Sequence, residues 1–253
     1  MKTDGTRIAM LTAYDASFAA MCDRAGVDVL LVGDSLGMVV QGHPTTLPVT
    51  LEQALYHTRC VVAGCTRPLV IADLPFGTFQ GRADDALRAS VAALQAGAQM
   101  VKVEGGAWLA PTIEYLVARS VPVCAHVGLT PQSVNALGGF RVQGKTPEAA
   151  QAVLGDATRV VDAGAAMVVV ECVPRDLGTE IARSVKVPTI GIGAGPDTSG
   201  QVLVIYDALG IQTAKPARFV KNFLAGRDSI EAALAAYVAQ VRDGTFPAPE
   251  HCF

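Results

Sequence analysis

Charge is scarce in this 253-residue chain: only 17% of its residues are Asp, Glu, Lys or Arg, with 20 basic against 23 acidic side chains and a formal net charge of −3. No basic block occurs, so the electrostatic footprint that nucleic-acid binding needs is missing. Aromatic residues make up just 6%. Long apolar runs are lacking too, since stretches such as Ala165 to Val170 fall far short of the ~20 residues that span a bilayer. The opening residues Met1, Lys2, Thr3, Asp4 and Gly5 offer no apolar leader segment. These absences predict a soluble, cytoplasmic protein with no nucleic-acid or membrane partner. Six cysteines (22, 60, 65, 124, 172, 252) are too few and too scattered for a disulfide framework. Cys60 and Cys65 lack the four-ligand set that structural zinc wants, which leaves buried free thiols as the expectation.

What is present is apolar and periodic. Hydrophobic residues make up 51% of the chain, enough for a large core. Short β-branched runs at Ile8–Thr12, Val29–Val32, Leu69–Ala72, Met100–Val103, Val121–Ala125, Met167–Val170, Thr189–Ile192 and Val202–Ile205 read as strands. Helical periodicity lies between them, near Asp15–Ala25, Leu51–Ala63, Ala83–Ala96, Trp108–Arg119, Pro147–Ala163 and Asp176–Ser184. Thr50 with Gln53 forms a capping-box pattern, Pro147 sits in a first turn, and Gly26, Gly64, Gly97 and Gly164 fall where helices should stop. Nearly continuous apolar strands belong to parallel sheets covered on both faces. The pattern predicts a single α/β domain over residues 1–253, a closed (β/α)8 TIM barrel, with an open doubly wound sheet as the runner-up. Arg218–Leu224 and Ser229–Val241 read as extra C-terminal helices, followed by an irregular tail from Phe246.

A barrel of this kind builds its active site from the C-terminal ends of its strands. Five successive strands end in polar or charged residues: Asp34 and Ser35, Asp73, Lys102 and Glu104, His126, and Glu171. The two-residue alternation of a strand puts Lys102 and Glu104 on one face and Val101 and Val103 on the other. The valines suit the helices outside, which turns the charges toward the barrel axis. Charge buried there is costly unless paired or bound to a metal. Four carboxylates against one lysine and one histidine leave an excess of negative charge, and all-carboxylate ligands suit a hard ion such as Mg²⁺. Such an ion could chelate a 2-oxo acid, acidify the neighbouring C–H and stabilise the enolate while Glu171 takes the proton. Each residue also has a plainer reading. Asp34 and Asp73 could be turn or cap residues, Lys102 and Glu104 an ion pair, His126 a hydrogen-bonded core residue, and Glu171 a rim charge. It is their joint placement that favours a site. Gly191 to Pro196 lacks the lysine of a phosphate loop and reads as a tight turn, and no G-x-S-x-G elbow is present. Trp108 reads as a core or interface residue.

Several segments together resemble the ketopantoate hydroxymethyltransferase family: Thr12 to Asp15, Leu31 to His43, Leu47 to Thr50, Ala72 to Phe76, Val101 to Gly106, Cys124 to Gln132, Val170 to Pro174, Gly191 to Gly195, and Lys221 to Phe223. The resemblance implies a (β/α)8 barrel that transfers a hydroxymethyl group from the co-substrate 5,10-methylenetetrahydrofolate to 3-methyl-2-oxobutanoate, giving 2-dehydropantoate in pantothenate and coenzyme A biosynthesis. It implies Asp34 and Asp73 as Mg²⁺ ligands, with Glu104 in or just behind them. The 2-oxo acid would then lie against Asp34, Ser35, Asp73, Lys102 and His126. Ser35 and Lys102 would hold its carboxylate, His126 would orient it, and Glu171 would act as general base. A homo-oligomer, commonly a decamer, is implied as well. The first strand begins at Ile8, whereas family members usually carry a longer helix before it, and Tyr206 to Pro216 keeps only part of the family wording. The alternatives are another metal-enolate lyase or mutase acting on a different 2-oxo acid, and a non-catalytic barrel.

Overall fold

The computed structural model describes residues 5–211 and 215–253. The leader reading at Met1 to Asp4 and part of the Tyr206 to Pro216 segment lie outside the described residues. Eight parallel strands close in sequence order, with β1 (Ile8–Thr12) hydrogen-bonded to both β2 (Val29–Val32) and β8 (Gly200–Leu203). The others are β3 (Leu69–Asp73), β4 (Met100–Glu104), β5 (Val123–Gly128), β6 (Met167–Glu171) and β7 (Thr189–Ile192). The barrel is the architecture expected from the apolar strands, and the doubly wound alternative is excluded.

Side-chain alternation divides the core in two. Ala9, Leu11, Leu30, Val32, Val101, Val103, Val168 and Val170 face outward and pack beneath the helices. Ile8, Met10, Val29, Leu31, Ile71, Met100, Cys124, Met167, Val169, Ile190 and Val202 fill the barrel interior with an apolar plug. Two residues further along β3, β4, β5 and β6, the same inward parity reaches Asp73, Lys102, His126 and Glu171, and two beyond Lys102 it reaches Glu104.

The surrounding helices are α1 (Ala16–Ala25), α2 (Leu36–Val39), α3 (Leu51–Gly64), α4 (Ala83–Gln95), α5 (Ala110–Val117), α6 (Pro147–Asp162), α7 (Arg175–Ser184), α8 (Ile205–Ala208) and α9 (Ile230–Asp243). Their ends follow local chemistry. The Asp15 carboxylate accepts from Phe18 N–H at the start of α1, Thr50 and Gln53 form the full capping box of α3, and Thr146 caps α6 ahead of Pro147. No described helix is long and apolar enough to cross a membrane.

Three expectations need correction. Arg218 to Leu224 is not a helix: Phe223 N–H donates to Ala208 O, and the Asn222 side chain accepts from Leu224 and Ala225 N–H, so these groups are not used in an i to i−4 ladder. The fifth strand begins at Val123 and runs through His126 to Gly128, later than its apolar run suggests. The eighth is Gly200–Leu203, and Ile205 opens α8 instead. Of the two readings of Trp108, core or interface, its 57% exposure removes the core one. Residues 193–199 connect β7 to β8 without a helix, although parallel strands normally need a crossover of about a dozen residues or more. Gly193 and Gly195, both at positive φ (61° and 81°), make the short path possible.

Candidate active site

All six strand-end residues converge at the C-terminal mouth of the barrel, lining a cleft of about 660 Å³ along with Ser35. Strand register sets the neighbours: Asp73 lies beside Lys102, Glu104 beside His126, and Gly128 beside Glu171. Asp34 follows β2 in the turn after Gly33 and offers its N–H to Asp73 Oδ2 at 3.3 Å.

Lys102 is the hub. Its Nζ donates to Asp73 Oδ1 and Oδ2 at 2.8 and 2.7 Å and to Glu104 Oε1 at 3.0 Å. Next along the barrel, His126 Nδ1 lies 3.2 Å from the same Glu104 oxygen. On its other side Nε2 is 3.2 Å from Glu171 Oε2, but it has no hydrogen-bond partner because the approach is off-line. Asp34, Asp73, Lys102, Glu104 and His126 are all 4% exposed or less, whereas the Glu171 side chain keeps 14% of its surface. The most accessible carboxylate of the set therefore sits at the cleft wall, above the buried ones.

Electrostatics follow from this crowding. Burial raises the Asp34 carboxyl well above the usual carboxylate range, and the Asp73 and Glu104 charges push the same way. Burial also raises Glu104, but the Lys102 and His126 charges and the hydrogen bonds it accepts outweigh that and bring it down to about 2. Burial and the Lys102 ammonium oppose protonation of His126, yet Glu104 and Glu171 prevail and raise it to about 9. The carboxylates likewise keep Lys102 charged against its desolvation. Two cations thus face four carboxyl groups, and Asp34, which makes no ion pair, is the one pushed toward its neutral form.

That deficit fits a further cation. Asp34, Asp73 and Glu104 each offer a carboxylate oxygen, all within 4.8 Å of one another and all buried, and no other such group of His, Cys, Asp or Glu occurs among the described residues. Mg²⁺ holds its oxygens at about 2.0–2.1 Å, so facing ligands lie about 4 Å apart, slightly inside the span of this set. The donors are all hard oxygens, as such an ion prefers.

Ser35 lines the same cleft but stands apart from the charged group, its Oγ 2.8 Å from the hydroxyl of the buried Tyr14. Glu171 is flanked by unusual backbone. Gly128, opposite it in register, has φ +88°, and a Cβ there would lie 2.3 Å from the Glu171 carbonyl oxygen. Cys172, next in the chain, holds φ +48° although it is not glycine, fixed by Cys172 N–H to Ile192 O and Gln143 N–H to Cys172 O. Neither Tyr14 nor Gln132, which bonds two of the carboxylates, was singled out by the strand-end rule. Tyr14 lies in the loop after β1 and Gln132 in a single 3-10 turn after β5, and only their place in the family-like segments marked them.

The family model described as ketopantoate hydroxymethyltransferase matches residues 1–249. The 3-methyl-2-oxobutanoate hydroxymethyltransferase of Ralstonia nicotianae is 60% identical, over 100% of this chain and 92% of that one. That of Azoarcus sp. is 59% identical, over 100% and 94%. Among solved structures, phosphonopyruvate hydrolase in complex with oxalate and Mg²⁺ is similar in fold, with a TM-score of 0.63 at 17% identity over 83% of this chain and 80% of that one. A 2,3-dimethylmalate lyase gives a TM-score of 0.59 at 16% identity over 83% and 80%. Matched along nearly its whole length, the chain belongs to the ketopantoate hydroxymethyltransferase family and is an enzyme of that transferase class.

Proposed function

We propose that this enzyme forms 2-dehydropantoate by adding the one-carbon unit of 5,10-methylenetetrahydrofolate to 3-methyl-2-oxobutanoate, with Mg²⁺ held by Asp34, Asp73 and Glu104. The observation that carries this reading is the convergence of those three buried carboxylates beside Lys102, on the same barrel mouth as the more open Glu171. A divalent ion there would draw electron density from the carboxylate and ketone of the 2-oxo acid and so weaken the C–H bond of its branched carbon.

The remaining work falls to side chains. Lys102 supplies a fixed positive charge for the substrate carboxylate, and Ser35 an adjustable hydroxyl. His126, protonated between Glu104 and Glu171, aims an N–H at the space beside Glu171. Glu171 takes the proton from the branched carbon, which frees that carbon's electron pair to bond to the folate-borne methylene. Water supplies the hydroxyl of the new group as the folate nitrogen leaves.

Exchange of the branched-carbon hydrogen in D₂O, followed by NMR, tests the base. Glu171→Gln should lose the exchange while still binding the 2-oxo acid, and exchange at the unmodified rate would sink the assignment. Purified enzyme that makes product only when the reduced folate is present supports the donor. Turnover of a different 2-oxo acid without folate would instead favour a lyase or mutase, the activity named for the 2,3-dimethylmalate lyase that shares the fold.

A further inference from the structure

Gln132 lies in the 3-10 turn Pro131–Ser133 after β5, buried at 4% exposure, and ties together two carboxylates, Glu104 at the end of β4 and Asp34 in the turn after β2. Its main-chain N–H donates to Glu104 Oε2 at 2.9 Å. Its side-chain Nε2 donates to Asp34 Oδ2 and to the carbonyl of Leu74, both at 2.9 Å. The other end of the same amide, Oε1, accepts from Gln80 Nε2 at 2.9 Å. Gln80 Oε1 in turn accepts from Gly77 N–H at 2.7 Å.

This chain of amides has a polarity that its ends dictate. Gly77 N–H can only donate and the Leu74 carbonyl can only accept. Turning either amide over would set donor against donor or acceptor against acceptor, an expensive mismatch out of water. The loop after β3, anchored by buried Leu74 and Phe79, therefore determines which end of Gln132 faces Asp34. Two carboxylates, a carbonyl, two side-chain amides and two main-chain N–H groups are thereby locked in a single arrangement.

We propose that Gln132 is a positioning residue for the acidic cluster, and that Gln80 sets its orientation, so that Asp34 and Glu104 present their oxygens to a divalent cation in a preset relation. The proposal rests on the cation reading given above. Groups hydrogen-bonded to metal ligands typically contribute about 10–100-fold to metal affinity, which fixes the size of the expected effect.

Mn²⁺ alone, titrated into the full-length enzyme without substrate and followed by calorimetry or by the EPR signal of the free ion, is the test. The unmodified enzyme should bind Mn²⁺; if it does not, the cation reading fails and this proposal falls with it. Given that binding, Gln132→Leu should weaken it about 10–100-fold. Gln132→Met, close in size but with no group to donate to Asp34 or accept from Gln80, should do the same. Gln80→Glu touches none of the three carboxylates and can still accept from Gly77 N–H, yet it cannot donate to Gln132. It should weaken Mn²⁺ binding by a smaller factor, and it carries the test if the Gln132 variants fail to fold. Folded Gln132 variants that bind Mn²⁺ within twofold of the unmodified enzyme, or variants with a lower melting temperature and unchanged Mn²⁺ affinity, would overturn the proposal.

Discussion

Lys102 bears two loads, since its single ammonium offsets both Asp73 and Glu104 while almost wholly buried. Removing one partner of a buried ion pair typically costs about 3–5 kcal/mol because it strands the other charge. Lys102→Met is accordingly expected to lower the melting temperature sharply. It should also show a larger upward shift on adding Mg²⁺ than the unmodified enzyme does, because the cation then relieves more repulsion; differential scanning calorimetry with and without Mg²⁺ checks both. The thiols make a second prediction at this scale. Burial pushes Cys22 and Cys124 up to about 12, so at pH 8 almost none of either is the reactive thiolate. Iodoacetamide followed by peptide mapping should label the partly exposed Cys60 well before those two, and equal labelling would contradict their enclosure. The charged residues were legible in the sequence because strand parity alone says which side chains enter a parallel barrel. Gln132 was not, because a single turn of three residues is too short to show a period and a neutral amide carries no charge to betray its burial.

Helix α9 acts as a clasp across the seam where the barrel closes. Its buried Tyr237 hydroxyl lies 2.7 Å from the carbonyl of Met10 on β1 and 2.8 Å from that of Gln201 on β8, donating to them both. Tyr237→Phe removes the donor and leaves strand carbonyls short of a partner, at a cost of about 1–3 kcal/mol. Urea denaturation should show that loss, and Mn²⁺ affinity should stay unchanged because Tyr237 lies away from the cleft. The strands and long helices were readable from apolar period and from local signals such as Thr50 with Gln53 and the first-turn Pro147, which act within a few residues of themselves. The Arg218 to Leu224 segment was misread for the opposite reason. Phe223 is fully buried against Tyr237 and Phe246, so its conformation answers to distant partners, whereas helical period reports only on neighbours in sequence. The boundaries of β5 and β8 shifted because register with the adjoining strands, not the extent of the apolar run, decides where pairing ends.

For the molecule as a whole, the closed barrel was legible because eight apolar runs separated by capped helices leave few other ways to cover both faces of a parallel sheet. The family resemblance further implies assembly, and light scattering on the purified enzyme is expected to give a multiple of the 26.2 kDa of one chain, with the decamer as the expected multiple. A monomer at working concentration would refute that expectation. Closure itself bears on how the enzyme is made. Thr12 waits for Ile205, 193 residues later, and Met10 for Tyr237, 227 residues later. On a ribosome, β1 emerges first and its second neighbour nearly last. For most of translation the growing sheet has two bare edges, the kind of surface that recruits stray strands from other chains. Yield in a cell should therefore depend on the speed of elongation and on chaperone supply more than the stability of the finished barrel would suggest.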